Sequence, residues 1–530
     1  QPASYNADSI HRCLDLLKPE EALYFMIADP LLTQVPPTHS EKWMKVEYSI
    51  KPLPTEQLTA WNHPAINPSI QLPTPNPFVP KELSLQKTTL SSSPILIRED
   101  EEAKIYYLSD QDYSIPETSA IFNLKTPLID GSAKKTVLSE LFLKSLKEKL
   151  STTLFNANMA GLHSCFALNN LNLTISVQGY SEQAPLLIKE IFSHLNHVQP
   201  LQEEFELYKQ ALLSLYDNAS HELPILQAKE IASSLVTQDA PTHLEKYYAL
   251  KTLSFEAFKE FSNQLFKQAY IEGFLYGNLS ENEARKVAKE VPSLLQSKPY
   301  PKNQHHKRKV LKLAEKEGPY LLTQSTERQG NGVLLMLAEG SFSFEKRGIQ
   351  QLLAKALKEA FYDTLRTKQQ TAYYIISWDS EEEKELFQYF AVQSSTHHAR
   401  DLLARFDLFI EDFIKNLPER ISEERFESLQ KMLIVTLQTP PENLQGMGKR
   451  LFLLAFEYDG NFNWYEERIA AIASLTYDQL QKRATEFLSR ENSKRLAILI
   501  EGLLPPENDF HYEPITKESV KEICSYSGMQ

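Results

Sequence analysis

Beyond residue 80 the chain repeats itself, and this repetition limits the folds open to it more than any other feature. "LKEKLSTTL" begins at Leu146 and "LKEAFYDTL" at Leu357, and the shared Leu, Lys, Glu, Thr and Leu keep an offset of 357 − 146 = 211. Further on, "TLSFEAFKEF" starts at Thr252 and "SLTYDQLQKR" at Ser474, an offset of 474 − 252 = 222. The 11-residue difference is expected in a longer hairpin of the second copy, where "WDSEEEKEL" interrupts two strand patterns. Each copy reads as strands, a long amphipathic helix, a hairpin, helices, a capped helix and a closing strand ("YIEGFLYGN" at 270, "RLAILIEG" at 495). Strand runs mixed with helices in this way predict an α+β chain of two homologous αβ domains, each with helices packed on a mostly antiparallel sheet.

Proline and charge punctuate the repeat. Eight prolines, from Pro52 to Pro80, crowd the stretch that ends in "LPTPNPFVP" (72–80). Fixed φ and missing donors make that stretch an extended linker. "SKPYPKNQHHKRKV" (297–310) is basic, polar and proline-bearing, and reads as a second linker. The expected organisation is 1–49 as the C-terminal remnant of a preceding αβ domain, 50–82 as a Pro-rich linker and 83–296 as the first αβ domain. A basic linker over 297–309, the second αβ domain over 310–505 and a tail over 506–530 follow. Within the remnant, "DSIHRCLDLL" (8–17) predicts a capped helix and "ALYFMIAD" (22–29) a buried strand. The opening "QPASYNADS" carries no initiator Met and reads as an internal start.

Composition excludes some function classes. A length of 530 residues asks for several domain-sized cores, and 42% hydrophobic with 24% charged residues is ordinary for a globular protein. A net charge of −13 disfavours a general nucleic-acid binder, which needs clustered Lys and Arg. No apolar run reaches the ~18 residues of a membrane span. Cys13, Cys165 and Cys524 are odd in number and far apart, so neither a disulfide framework nor a cysteine metal site is supported.

Thirteen histidines give neither HExxH nor HxxEH. His221-Glu222 comes nearest in type, but Ile225 stands where the second His belongs and Pro224 breaks the turn. His194 and His197 have i, i+3 spacing without an adjacent carboxylate. No GxxxxGK[ST], GxGxxG or GxSxG is present, and no metal ligand set is assigned to this chain. What remains is "LRTKQQTAYYIISW" (365–378), where a helical pattern hands over to a strand. Arg366 follows a helix whose apolar stripe is Ile349, Leu352, Leu353, Ala356, Leu357, Ala360 and Phe361, and a cation there complements the helix dipole. Tyr373 opens a strand, where Tyr is favoured. Taken alone, both residues have sufficient structural reasons.

"LRTKQQTAY" (365–373) resembles the LRTxEQLGY stretch in the C-terminal half of the insulin-degrading enzyme and pitrilysin family of inverzincin zinc metallopeptidases. Leu365, Arg366, Thr367, Gln370 and Tyr373 match; Gln369 replaces Glu, and Thr371-Ala372 replaces Leu-Gly. "LKPEEALYFMIAD" (17–29), "LPTPNPFVP", "NMAGLHSCF" (158–166), "SVQGYSEQAPLLIKEIF" (176–192) and "LYGNLSENEA" (275–284) resemble the family in the same order, so the likeness spans about 10 to 505.

The resemblance implies the LuxS/MPP-like metalloenzyme fold, in which four homologous αβ domains form two bowl-shaped halves around a chamber. It implies that Tyr373 donates to the scissile carbonyl as it becomes an oxyanion and that Arg366 binds a substrate carbonyl. Zinc and HxxEH would belong to an N-terminal half or partner chain, so this chain alone is expected to be inactive. It would enclose and orient peptide substrates. The alternative is a catalytically inactive relative that binds peptides or acts as a scaffold.

Overall fold

A computed structural model describes residues 6–505 except 30, 31, 33, 34, 64, 66, 70, 72, 73, 87–92, 170, 315 and 316, together with 516 and 519. Nearly all of the expected tail, Cys524 included, lies outside the described residues. The chain divides into two units, Gln1–Pro75 and Asn76–Gln530.

The first unit holds the expected helix at Ala7–Asp15, capped by Asn6, whose side chain accepts from the Ser9 N–H at 3.0 Å. The buried strand expected at 22–29 is not formed. Leu23, Phe25, Met26 and Ile27 are all at least 85% exposed, and no described residue of this unit is buried. A strand needs a ladder partner and a core to cover one face. Among the described residues this unit offers neither: its only ladder is the two-residue pairing of His39–Ser40 with Glu47–Tyr48.

The second unit is built on two sheets. The first contains β1 (Ile95–Glu99), β2 (Ala103–Ser109), β3 (Glu117–Lys125), β4 (Leu162–Asn169), β5 (Asn172–Tyr180) and β6 (Gln268–Gly277) in the order β1-β2-β6-β3-β5-β4. The second contains β7 (Tyr320–Gln329), β8 (Asn331–Ser341), β9 (Tyr374–Glu382), β10 (Glu385–Ser394) and β11 (Arg495–Leu503) in the order β7-β11-β8-β10-β9. Setting β1 aside, the two orders are the same. Along each order one pair is parallel, β2 with β6 and β7 with β11, and the others are antiparallel.

Strand alternation sends neighbouring side chains to opposite faces. Ala120 and Phe122 join a core under α1 (Ala133–Lys149), while Ile121 faces away. Val333, Leu335 and Leu337 likewise join a core with the stripe Ile349, Leu352, Leu353, Ala356, Leu357 and Phe361, while Leu334, Met336 and Ala338 face away. Those second faces are covered reciprocally. α2 (Pro224–Val236), which lies between strands of the first sheet in sequence, places Ile225, Ala228, Ala232 and Val236 on the second sheet. Helix Leu444–Phe456, between strands of the second sheet, places Leu444, Leu451, Phe452 and Ala455 against Tyr106, Ile121, Phe274 and Tyr276 of the first. The two helices are offset by 444 − 224 = 220, close to the spacing of the sequence repeat. Each fully buried Ile, Val, Leu or Phe stabilises such a seam by roughly 1.5–3 kcal/mol.

Polar groups fix the register. The Ile225 N–H, an orphan of the first helical turn, donates to Gln393 Oε1 at 2.9 Å, and Gln445 Nε2 donates to Glu117 Oε2 at 2.9 Å. The long helix of each copy is clamped at equivalent positions. Lys246 pairs with Glu140 at 3.2 Å, and Arg468 donates to Gln351, with 468 − 246 = 222 and 351 − 140 = 211.

The 11-residue difference does not come mainly from the hairpin, which is only 2 residues longer in the second copy, 374–394 against 162–180. β4 and β9 begin 374 − 162 = 212 apart, and the helices after the hairpins, Ala184–Leu195 and Ala399–Lys415, begin 399 − 184 = 215 apart. The next helices, at Gln202 and Glu423, begin 423 − 202 = 221 apart. The largest single part of the insertion is therefore the longer helix, 17 residues against 12, and the connection after it, which includes the short helix Leu417–Arg420, adds one more. The acidic run extends β9 instead, and Glu383 and Lys384, at φ 46° and 64°, make a two-residue turn into β10.

Both proline-bearing stretches are tied down where they meet the sheets. Phe78 is buried in the first core, and Asn76 Nδ2 donates to the Asn156 carbonyl at 2.7 Å. Lys298–Pro299 adds to β6, and the Leu311 N–H donates to the Val236 carbonyl at 2.8 Å, holding the basic segment along the end of α2.

A Cβ at Gly332 would lie 2.5 Å from the backbone of α2 at Pro224 and Ile225, so the seam closes only over a bare backbone. Gly332→Ala is expected to lower the urea midpoint at unchanged m-value, a loss of ~1–3 kcal/mol. An unaltered midpoint would mean that α2 is not seated on this sheet.

Candidate functional site

α3 (Phe344–Tyr362) starts at Ser343, whose side chain accepts from the Lys346 N–H at 3.2 Å. Its buried stripe seats it on the second sheet, with Ala360 half-buried. The helix then widens into a π-turn over Asp363–Lys368, where the Gln369 N–H reaches back to the Thr364 carbonyl at 3.0 Å. Single π-turns often mark functional sites. Fully buried Leu365 anchors the widened turn, leaving Arg366 half-buried at its rim.

The departures from the family stretch have physical roles here. Thr371 is buried, and both its N–H (3.0 Å) and its hydroxyl (2.9 Å) donate to the Leu365 carbonyl. A leucine could supply only the first of these bonds. The Thr371 carbonyl in turn accepts from Ser394 Oγ of the central strands at 2.7 Å. Ala372 packs against the core at negative φ, so no glycine is needed there; the left-handed residue is Gln370, at φ 51°. Gln369 Oε1 accepts from Arg405 Nη1 at 2.9 Å, and Arg405 also pairs with Asp401 at 2.9 Å.

Arg366 and Tyr373 are brought together at this rim. The guanidinium lies 4.4 Å from the Tyr373 ring centroid and 5.6 Å from that of Tyr362, and Nη1 donates to the Tyr373 carbonyl. The Tyr373 side chain itself is 85% exposed. A phenol held open to solvent beside a fixed cation can donate to an incoming carbonyl, and the cation favours developing negative charge. Tyr362 was not singled out in the sequence; its i, i+4 spacing to Arg366 is the signal that places it on the same helix face.

The first copy offers no such pair. At the 211 offset, Phe155 is 64% exposed and Leu162 is fully buried at the start of β4. The described histidines do not gather either. Helix Ala184–Leu195 ends before His197, and His194 Nδ1 lies 2.7 Å from the Glu190 carbonyl of its own helix. Among the described residues no group of three or more His, Cys, Asp or Glu comes together to hold a metal ion. These described residues do not fit a zinc site.

Thr371→Val keeps the shape and removes one bond to the Leu365 carbonyl. It is expected to cost ~0.5–1.5 kcal/mol in denaturant unfolding and to weaken the hydrogen-exchange protection of residues 365–373. Unchanged stability and protection would mean the π-turn is held by packing alone.

Comparison with known proteins gives a coherent answer. The model of the middle or third domain of peptidase M16 matches residues 2–249, and that of the C-terminal lobe domain 4 of PqqF-like PQQ synthase matches residues 352–452. The A-factor-processing enzyme of Saccharomyces cerevisiae is 24% identical over 505 residues, covering 93% of this chain and 48% of the yeast protein. Human insulin-degrading enzyme is 23% identical over 509 residues, covering 94% and 49%. The chain thus spans about half the length of the curated relatives it matches. The crystal structure of pitrilysin superposes with a TM-score of 0.79 at 19% identity, covering 97% of this chain and 54% of pitrilysin. The peptidase M16 inactive domain from Pseudomonas fluorescens gives 0.57 at 14% identity, covering 78% and 98%. Repeat, sheet order and sequence likeness converge: this α+β chain resembles, and is homologous to, the C-terminal half of M16 family peptidases.

Proposed function

We propose that this chain is the non-zinc half of a pitrilysin-like and insulysin-like metalloendopeptidase, one that encloses peptide substrates and contributes groups to their cleavage. In this reading the metal and its HxxEH helix belong to an N-terminal half or partner chain. Tyr373 donates its hydroxyl to the scissile carbonyl as negative charge develops there, and Arg366 holds a neighbouring substrate carbonyl. The observation that carries the reading is the rim geometry: a phenol 85% exposed, steered by a guanidinium 4.4 Å from its ring, at the end of a π-turn.

One observation favours the alternative of an inactive, peptide-binding or scaffolding relative. Arg366 already spends a donor on the carbonyl of Tyr373 and lies on two rings, so part of its bonding capacity is used within the chain. The likeness to the peptidase M16 inactive domain from Pseudomonas fluorescens agrees with that reading.

Reconstitution separates the two. Residues 1–530 alone are expected neither to retain stoichiometric zinc nor to cleave a quenched fluorogenic peptide; chelator-sensitive cleavage by the purified chain would refute the half-enzyme reading. With a zinc-bearing N-terminal half added, cleavage is expected. Tyr373→Phe should then lower kcat by ~10²–10³-fold with KM little changed, the signature of a donor used in the transition state. Peptide binding without cleavage in the wild-type pair would instead select the inactive reading.

A further inference from the structure

β9 begins one residue after Tyr373 and turns its other face toward a cavity of about 430 Å³ beneath α2. Three segments wall it: α2, the basic segment before β7, and the second sheet. Roughly 300–1,000 Å³ is usual for small-molecule sites, and this one combines an apolar floor with a few convergent charges. Val236 and Leu334 form the floor, and Trp378 stacks on Tyr389 with centroids 4.7 Å apart and planes within 6°.

The charged groups are under-used. Lys229 Nζ donates to the Tyr374 hydroxyl at 2.7 Å and lies 5.0 Å from the Trp378 ring centroid. An ammonium has three donors, and among the described residues the other two meet no acceptor. The closest carboxylate to Arg308 is that of Asp239, 3.8 Å from Nε, too long for a hydrogen bond. Glu382 forms no ion pair among the described residues. Burial holds its carboxyl above the usual range, Arg308 opposes that shift and Glu383 adds to it.

We propose that this cavity binds a free α-amino acid with a large apolar or aromatic side chain. The ligand's carboxylate takes donors from Lys229 and Arg308, its ammonium takes Glu382, and its side chain lies on Trp378, Val236 and Leu334. The arrangement of charge selects this class. A purely anionic ligand would confront Glu382, and a purely cationic one would confront Lys229 and Arg308. A zwitterion answers both. Bound there, it would link the basic segment, the exchanged helix and the second sheet, stabilising the seam by mass action. The site lies on the opposite face of β9 from the core under α3, and it does not depend on the role proposed for Tyr373.

Isothermal titration of the 530-residue chain with L-phenylalanine, N-acetyl-L-phenylalanine and L-phenylalaninamide tests it. Saturable one-to-one binding of L-phenylalanine is expected, with each capped analogue at least roughly tenfold weaker. Glu382→Gln, nearly isosteric, should weaken L-phenylalanine about tenfold and leave N-acetyl-L-phenylalanine within about twofold. Lys229→Met should weaken both. If Lys229→Met fails to fold, Glu382→Gln decides alone. No saturable heat with L-phenylalanine, equal binding of all three ligands, or an unchanged Glu382→Gln would overturn the proposal.

Discussion

The exchange of one helix across the seam between the two sheets is the constraint on which the second unit depends. Each sheet has two apolar faces, and its own long helix covers only one. Leu334, Met336 and Ile498 on one sheet, with Ile121, Phe274 and Tyr276 on the other, would face water if the exchanged helices were withdrawn. Side chains of that size give the two αβ layers a strong thermodynamic reason to stay together. The bare backbone of Gly332 against α2 and of Gly448 against Ser119 indicates how close the approach has become on each side.

That rigidity is what a rim group needs in order to act on something outside the chain. Arg366 and Tyr373 are at a helix end, yet the π-turn beneath them is fixed by Leu365 in the core and by Thr371 bonding back to its carbonyl. Tyr374, the next residue, is tied through its hydroxyl to Lys229 of the exchanged helix. One strand start is thus shared between an exposed phenol and the seam, and a shift of α2 would be felt at the rim. Donors that develop charge-stabilising contacts late in a reaction gain most from such preorganisation.

Much of this fold was legible in the sequence, because hydrophobic period and repeat offset are local signals. The stripe of α3 and the closing strands at 270 and 495 fell where periodicity put them. What could not be read were relations set by tertiary partners. The apolar run at 22–29 has the composition of a strand, but a ladder requires a neighbour that the described residues of its unit do not supply. Acidic residues that break an apolar pattern point to an insertion in the hairpin; the backbone instead carries them along β9 to a left-handed turn. The helix exchange left no mark, since α2 is amphipathic whichever sheet it covers. At the rim, the resemblance supplied Arg366 and Tyr373, while Tyr362 and the work done by Thr371 emerged only once the turn was seen in three dimensions.

The exchanged helix also sets an order of events during synthesis. The central strand β6 of the first sheet ends at Gly277, but the helix that covers the sheet's second face begins at Leu444, 444 − 277 = 167 residues later. At about 5–20 residues per second, Tyr106, Ile121 and Phe274 stand uncovered on a nascent chain for on the order of ten seconds or more. During that interval the half-finished sheet is a natural client for chaperones, and a ribosome stalled between the two sheets would release a sticky intermediate instead of a smaller folded protein.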